Sequence, residues 1–146
     1  MKKKIFAAIL VIIQFSAIAV LAFRSEIETK MSFGNTMIIL SLFVGFWAIY
    51  TMRKSKFTIS PIPREKAQLL EDGMYGFIRH PMYLAVLLLC LGFLLQNPDK
   101  VNILVYSILF ADLLVKLHWE EKLLEEKFEG YKNYQLKTKK IIPFIF

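Results

Sequence analysis

The sequence predicts an all-α integral membrane protein with about four transmembrane helices and a cytoplasmic C-terminal helix and tail. Apolar residues make up 56% of the 146-residue chain, which is above the average for soluble proteins. They are collected in runs long enough to cross a bilayer, and the charged residues lie between these runs. The length suits one domain, so residues 1–146 are expected to form a single membrane domain.

The first two runs span residues 5–23 and 35–52. Nineteen helical residues rise about 28 Å, close to the roughly 30 Å of the hydrocarbon core. A cleaved signal peptide is the alternative for the first run, because lysines occupy positions 2–4 and Ala17-Ile18-Ala19 resembles a cleavage site. The apolar run continues beyond that site, which favours a retained helix.

The third and fourth runs span residues 80–96 and 101–117. Pro81 suits the first turn of the third helix, where its missing N–H costs little. Asn97-Pro98-Asp99-Lys100 is a turn signal between the two runs. The sequence after the fourth run is charged but helix-forming to about residue 128, which predicts a helix that leaves the membrane.

The basic residues predict the orientation. Segments 1–4, 53–79 and 116–146 hold 16 of the 19 Lys and Arg residues. By the positive-inside rule these segments, and therefore both termini, are cytoplasmic. The composition is typical of a prokaryotic protein, so we expect it in the inner or cell membrane.

A first polar cluster, Tyr75, Arg79, His80 and Tyr83, stands where the third run enters the membrane. One interpretation is interfacial anchoring, because Tyr and Arg have apolar bodies and wet tips. The other is a pocket for an anion and a planar ring, with Arg79 beside the free N–H groups of a helix N-terminus. The residue types alone leave both open.

A second cluster, Asp112, Lys116 and Glu120, has the i, i+4, i+8 spacing of one helical face. Intrahelical ion pairs worth about 0.2–0.5 kcal/mol each are the simpler interpretation. Asp112 lies within an apolar run, however, and such residues usually face the protein interior or a cavity. Glu121 points about 100° away from Glu120.

Several classes of site are not indicated. Nucleotide-binding glycine motifs are missing, and two His with one Cys, Cys90, make neither a metal site nor an intramolecular disulfide. The net charge of +7 arises from segments that flank apolar runs, so membrane lipids are expected partners and nucleic acid is not.

The stretch Gly73-Met74-Tyr75-Gly76-Phe77-Ile78-Arg79-His80-Pro81-Met82-Tyr83 resembles the G-x-Y-x-x-x-R-H-P-x-Y signature of the isoprenylcysteine carboxyl methyltransferase and phospholipid methyltransferase superfamily. The superfamily's C-terminal block is resembled by Glu120-Glu121-Lys122-Leu123-Leu124 followed by Phe128, Tyr131, Tyr134, Thr138 and Pro143. The resemblance covers roughly residues 57–146.

The resemblance implies S-adenosylmethionine as cofactor, bound at the cytoplasmic face by residues 57–83 together with 116–146. It implies these cofactor-binding residues: Gln68, Leu69, Leu70, Tyr75, Arg79, His80, Pro81, Met82, Tyr83 and Glu120. Lys116 stands where prenyl-substrate enzymes carry an Arg assigned to substrate, and Glu121 is the second candidate for a substrate contact. No residue is assigned as catalytic, and Met74 and Ala85 depart from the usual pattern.

The implied function is S-adenosylmethionine-dependent methyl transfer to a lipophilic acceptor, such as a prenylcysteine carboxylate or a lipid amine. A sterol-reductase-like NADPH oxidoreductase is one alternative, because a similar Arg-His-Pro motif occurs there, but those proteins are longer and typically continue Asn-Tyr-x-Gly-Glu. A non-catalytic membrane interaction protein is the other, and it predicts no cofactor binding.

Overall fold

The computed structural model describes residues 2–26, 32–53 and 69–142. Within these ranges the chain forms five α-helices and, at Gly73–Gly76, a 3₁₀ turn. The helices are α1 (Lys2–Arg24), α2 (Phe33–Met52), α3 (Pro81–Gln96), α4 (Lys100–Lys127) and α5 (Tyr131–Lys137). The described residues contain no β-strand, and the predicted all-α class is confirmed.

Three of the described helices, α1, α2 and α4, are long and apolar enough to cross a membrane. Helix α3 has 16 residues and rises about 24 Å, which is short of a typical hydrocarbon core. The fourth predicted span therefore stays a prediction. Helix α4 continues without a break from its apolar half into the charged segment that ends at Lys127.

Helix α1 packs against α4 through one face. Its buried residues recur at intervals of three and four, as one stripe of a helix requires: Ala7, Leu10, Gln14, Ala17 and Leu21. Leu109, Leu113 and Leu117 of α4 are fully buried in the same core cluster as Ala17 and Leu21. Gln14 is thus held on a buried apolar face, where a polar group needs a partner.

Helix α2 packs against α3 through small residues. Gly34 and Gly92 let the two backbones approach so closely that a Cβ on Gly92 would lie 2.5 Å from Ile38 Cγ1 and 2.8 Å from the Gly34 carbonyl oxygen. Close backbone approach at small residues is the usual means of packing helices in a membrane, where no hydrophobic drive joins them.

An ion pair and hydrogen bonds join α1 to the turn before α4, at the end of the molecule opposite the charged half of α4. Asp99 caps α4 by accepting from the Asn102 N–H at 2.7 Å, and this hydrogen bond, with Arg24 nearby, lowers the pKa of Asp99. Arg24 at the end of α1 pairs with Asp99 and donates to Asn102 Oδ1 at 2.8 Å. The turn between α3 and α4 is thereby tied to α1.

The chain after α5 returns to the beginning of α3. The Arg79 N–H donates to the Lys139 carbonyl at 2.8 Å, and the His80 N–H donates to the Lys140 carbonyl at 2.9 Å. Ile141 is then buried in the core cluster with Leu113 and Leu117. The segment Tyr131–Ile141, called the tail below, therefore covers the junction between α3 and α4.

Candidate functional site

The first turn of α3 brings two side chains against the consecutive glutamates of α4. Tyr83 donates from its hydroxyl to Glu120 Oε2 at 2.6 Å. His80 lies between the two carboxylates, with Nδ1 3.8 Å from Glu120 Oε2 and Nε2 3.3 Å from Glu121 Oε1. The rings of His80 and Tyr83 are stacked with centroids 5.3 Å apart, so the two polar clusters of the sequence form one site.

Glu120 and Glu121 differ in access to solvent. The Glu120 side chain is 24% exposed, whereas that of Glu121 is 9% exposed. Because neighbouring residues on a helix point about 100° apart, one glutamate reaches the open side and the other the interior. Glu120 is the carboxylate that a ligand can reach.

Arg79 is buried among protein groups. Its Nε donates to Glu121 Oε1 at 2.6 Å, and its Nη1 donates to the Thr138 carbonyl at 2.5 Å and the Gln135 carbonyl at 3.2 Å. One guanidinium thus joins α3, α4 and the tail, as its rigid fork of donors allows. Direct contact of Arg79 with a cofactor, and of Glu121 with a substrate, stays a prediction.

Tyr75 joins the 3₁₀ turn to the tail and to α2. The Tyr134 hydroxyl donates to the Tyr75 carbonyl at 2.5 Å, and the Tyr75 hydroxyl contacts Met52 Sδ at 3.6 Å. Burial, with Glu120 nearby, raises the pKa of Tyr75. The ring is therefore a neutral, buried wall of the junction.

Lys116 is fully buried on α4, one helical turn before Glu120. Its ammonium donates to Gln14 Oε1 of α1 and lies 5.8 Å from the centre of the Tyr83 ring. The ion pairs that the i, i+4 spacing allows with Asp112 and Glu120 are not formed among the described residues. The simpler interpretation of the second cluster is therefore wrong in geometry, because Lys116 turns to another helix.

Two buried polar groups in the described part of the chain lack a hydrogen-bond partner. They are the carboxylate of Asp112, at both oxygens, and the hydroxyl of Tyr131. Tyr131 is 1% exposed, and burial raises its pKa, with Glu121 adding to the effect. Buried groups without a partner are uncommon in folded proteins, so each of these is a place where a water molecule, an ion or a ligand can complete the bonding.

The other predicted site residues lie at the edges of this junction. Leu69 and Leu70 are half-buried ahead of the 3₁₀ turn, Pro81 is buried in the first turn of α3, and Met82 beside it is half-buried. Gln68, and the predicted binding region from residue 57 to it, lie outside the described residues.

Three groups that are not among the predicted site residues also belong to the junction. Gln14 partners Lys116, while Tyr131 and Thr138 carry a hydroxyl at the Glu121 and Arg79 side. The position of Gln14 as a polar residue within the first apolar run was the available signal in the sequence. For Tyr131 and Thr138 the sequence offered only their place in the C-terminal block.

A separate cavity of about 400 Å³ opens between the end of α2 and the 3₁₀ turn. It is lined by Trp47, Tyr50, Thr51, Arg53, Asp72 and Gly73. Asp72 and Gly73 fall within the predicted cofactor-binding region 57–83, but none of the six is among the individually predicted site residues. Its volume is in the range of small-molecule pockets. Gly73, which has a φ of 57°, lets the chain turn sharply from this cavity toward Tyr75.

The junction offers several kinds of contact to one ligand. A reachable carboxylate, Glu120, suits a cationic group, and the stacked His80 and Tyr83 rings suit a planar one. The residues present therefore suit a ligand that combines a positively charged group with a planar ring.

Comparison with known proteins points to one family. A family model described as phospholipid methyltransferase matches residues 29–130. The chain is also 28% identical over 120 residues to protein-S-isoprenylcysteine O-methyltransferase B of Arabidopsis thaliana, a stretch covering 78% of this chain and 59% of the relative. The chain thus spans less than two thirds of that relative's length.

The matched region contains α2, α3 and α4 and therefore both halves of the junction between His80, Tyr83 and the paired glutamates. The resemblance inferred from the two sequence blocks is confirmed. Because the matched residues make up more than half of the sequence, the chain belongs to the phospholipid methyltransferase family.

Proposed function

We propose that the chain is a membrane enzyme that transfers a methyl group from S-adenosylmethionine to a lipophilic acceptor at the cytoplasmic face. The contact of Tyr83 and His80 with Glu120 carries the proposal, because it joins the two sequence blocks in one place. Membership in a methyltransferase family gives the reaction class.

S-adenosylmethionine would supply a methyl group on a positively charged sulfur: the acceptor's nucleophile would bond to the methyl carbon in line with the carbon–sulfur bond, which breaks as the neutral thioether leaves. Such a displacement needs alignment and partial removal of water more than it needs an acid or a base. Glu120 binds a positive group of the donor, and His80 and Tyr83 hold the carboxylate in place. The surrounding wall is formed by other predicted cofactor-binding residues: Tyr75, Pro81, Met82, Leu69 and Leu70. Gln68 precedes Leu69 in the sequence.

Arg79 and Glu121 stabilise this arrangement from the interior side of the junction. Their buried pair fixes the first turn of α3 to α4, and Arg79 also binds the carbonyls of the tail. We propose that both act on the donor chiefly by positioning His80. A positioned residue matters because a displacement of about 1 Å can cost a hundredfold in rate.

The acceptor enters from the membrane side, toward Lys116. This part of α4 is apolar apart from Lys116 and Asp112, so an acceptor with a hydrocarbon chain fits it. The Arabidopsis relative is named for an isoprenylcysteine substrate, which is also a polar group on a hydrocarbon chain. A prenylcysteine carboxylate and a lipid amine are both within this class.

The proposal is tested with the purified full-length protein in detergent, methyl-labelled S-adenosylmethionine and a bacterial lipid extract. Labelled methyl groups should appear in the organic phase with the wild-type protein but not with His80→Ala or Tyr83→Ala. His118→Ala is the matched control, because His118 is an exposed histidine on α4. Transfer that survives both site variants contradicts the assignment. Binding of NADPH but not S-adenosylmethionine favours the reductase, and binding of neither favours an interaction protein.

A further inference from the structure

The tail carries a positive charge that the junction does not use. It contains four lysines and no acidic residue. Lys132, Lys137 and Lys139 are exposed, and the Lys140 ammonium lies 3.5 Å from His118 Nε2. The tail is fixed to the beginning of α3 through the backbone of Lys139 and Lys140, which leaves the charges of their side chains on the outside.

Helix α5 has a protein face and an outer face. Tyr131 and Tyr134 are buried on the protein face. At 100° per residue, Leu136 points in nearly the opposite direction and lies between Lys132 and Lys137 on the outer face. Leu136 is 87% exposed. An apolar side chain flanked by lysines is typical of a helix that lies in the interface of a membrane.

The tail lies at the level where the apolar segments end. The Lys140 carbonyl accepts from the His80 N–H at 2.9 Å, immediately before α3 begins. Ile141 is buried in one cluster with Leu117, the last residue of the fourth apolar run. The ends of apolar runs mark the boundary between the hydrocarbon core and the headgroups. The outer face of α5 is therefore beside the headgroup layer.

Phe77 adds a second exposed apolar side chain to this region. Its carbonyl accepts from the Lys139 N–H at 3.0 Å, so it lies beside the tail, and it is 62% exposed. A nucleic acid or an acidic protein would pair with the lysines but would leave Leu136 and Phe77 without an apolar environment. A lipid leaflet with negative headgroups serves both kinds of side chain.

We propose that the outer face of the tail is a docking surface for the anionic headgroups of the membrane in which the protein lies. Phosphodiester groups pair with Lys132, Lys137 and Lys139, and Leu136 and Phe77 enter the boundary with the acyl chains. Since the tail covers the junction between α3 and α4, anionic lipid holds it closed there. The inference goes beyond methyl transfer and does not depend on it.

The lysines determine the size of the effect. Each Lys near an anionic leaflet should favour the docked tail about fivefold, so loss of three should lower the ratio of docked to free tail roughly 100-fold. The Debye length falls from about 10 Å at 0.1 M salt to about 3 Å at 1 M, so high salt should release the tail.

Docking is measured with an environment-sensitive fluorophore on Asn133→Cys in the full-length protein, in phosphatidylcholine nanodiscs with increasing phosphatidylglycerol. Asn133 is exposed on the outer face of α5, and the native Cys90 is buried. The emission should shift to shorter wavelength as the phosphatidylglycerol content rises, and 1 M NaCl should reverse the shift.

Two triple variants test which lysines are responsible. Replacing Lys132, Lys137 and Lys139 together by Gln should abolish the shift or move it to a much higher phosphatidylglycerol content. The control replaces Lys2, Lys3 and Lys4 by Gln, because these lysines are also exposed and their loss removes the same charge from another part of the chain. The control should respond as the wild type does, and both variants should keep the wild-type unfolding midpoint.

The inference is overturned by emission that does not change with phosphatidylglycerol, or by an equal response of the two triple variants. Inorganic phosphate and polyglutamate, each added to nanodiscs of phosphatidylcholine alone, should leave the emission unchanged. A shift with phosphate would instead identify a site for free anions, and a shift with polyglutamate an acidic protein partner. Either result would overturn the assignment to a lipid surface.

Discussion

Replacing Glu121 by Gln is expected to loosen the tail without removing a ligand contact. Glu121 Oε1 is 2.6 Å from Arg79 Nε and 3.3 Å from His80 Nε2, and the Arg79 and Glu121 side chains are 6% and 9% exposed. At that burial the pair is little screened by water. Gln keeps the shape and one acceptor oxygen but loses the charge that strengthens both contacts.

The loss of a charge-assisted hydrogen bond costs about 1.5–3 kcal/mol. Complete removal of one partner from a buried ion pair costs about 3–5 kcal/mol, which is the upper limit for Glu121→Ala. Arg79 also donates to the carbonyls of Gln135 and Thr138, so a weaker hold on Arg79 should lower the free energy needed to open the tail by the same amount. A change of 1.5–3 kcal/mol raises the open population roughly 10- to 150-fold.

Limited trypsin digestion measures that opening, because Lys137 and Lys139 lie in the tail on either side of Thr138. Their cleavage rate in the native protein follows the open population when closing is fast. Glu121→Gln should therefore be cut at these sites about 10- to 150-fold faster than wild type. Glu125→Gln is the control, since exposed Glu125 also joins α4 to the tail through Gln135 and should change the rate little. Equal rates for wild type and Glu121→Gln would refute the assignment of Arg79 and Glu121 as the hold on the tail.

Three further predictions concern packing, topology and pH. Gly92→Ala should lower stability by about 1–3 kcal/mol by overpacking α2 against α3, seen as a lower unfolding midpoint, while Gly130→Ala, with open space around its Cβ position, should not. A cysteine reporter at Lys100 should be labelled from outside intact cells and one at Lys127 should not, so labelling at Lys127 contradicts the orientation. Burial raises the pKa of Tyr134 in the folded protein above the ordinary value of about 10, so the folded state binds more protons at high pH and stability should fall above about pH 10. Tyr134→Phe should reduce that fall in the unfolding midpoint, and an unchanged pH profile would exclude Tyr134 as its source.

The helices could be predicted from the sequence because each has a local signature. The apolar run with its flanking charges marks α1 and α2, Pro81 marks the beginning of α3, and the turn signal Asn97-Pro98-Asp99-Lys100 separates α3 from α4. The meeting of the two polar clusters also followed, since both lie at the same end of antiparallel neighbours.

The division of work between neighbouring residues could not be predicted from the sequence. The i, i+4 spacing placed Lys116 beside Asp112 and Glu120, yet its ammonium bonds to Gln14, 102 positions away. Arg79 at a helix N-terminus resembled an anion site, yet it binds Glu121 and tail carbonyls. Local spacing states which contacts are possible, and tertiary packing chooses among them by burial, which periodicity does not encode.

Equilibrium binding of S-adenosylmethionine to wild type, Glu120→Gln and Glu121→Gln is the most direct test of the proposed donor site. Glu120 is the reachable carboxylate at Tyr83, so its loss of charge should weaken donor binding roughly 10- to 150-fold with the unfolding midpoint maintained. Glu121→Gln should instead lower the midpoint and weaken binding less. Wild-type affinity in Glu120→Gln, or no S-adenosylmethionine binding by the wild type, would contradict the placement of the donor between α3 and α4.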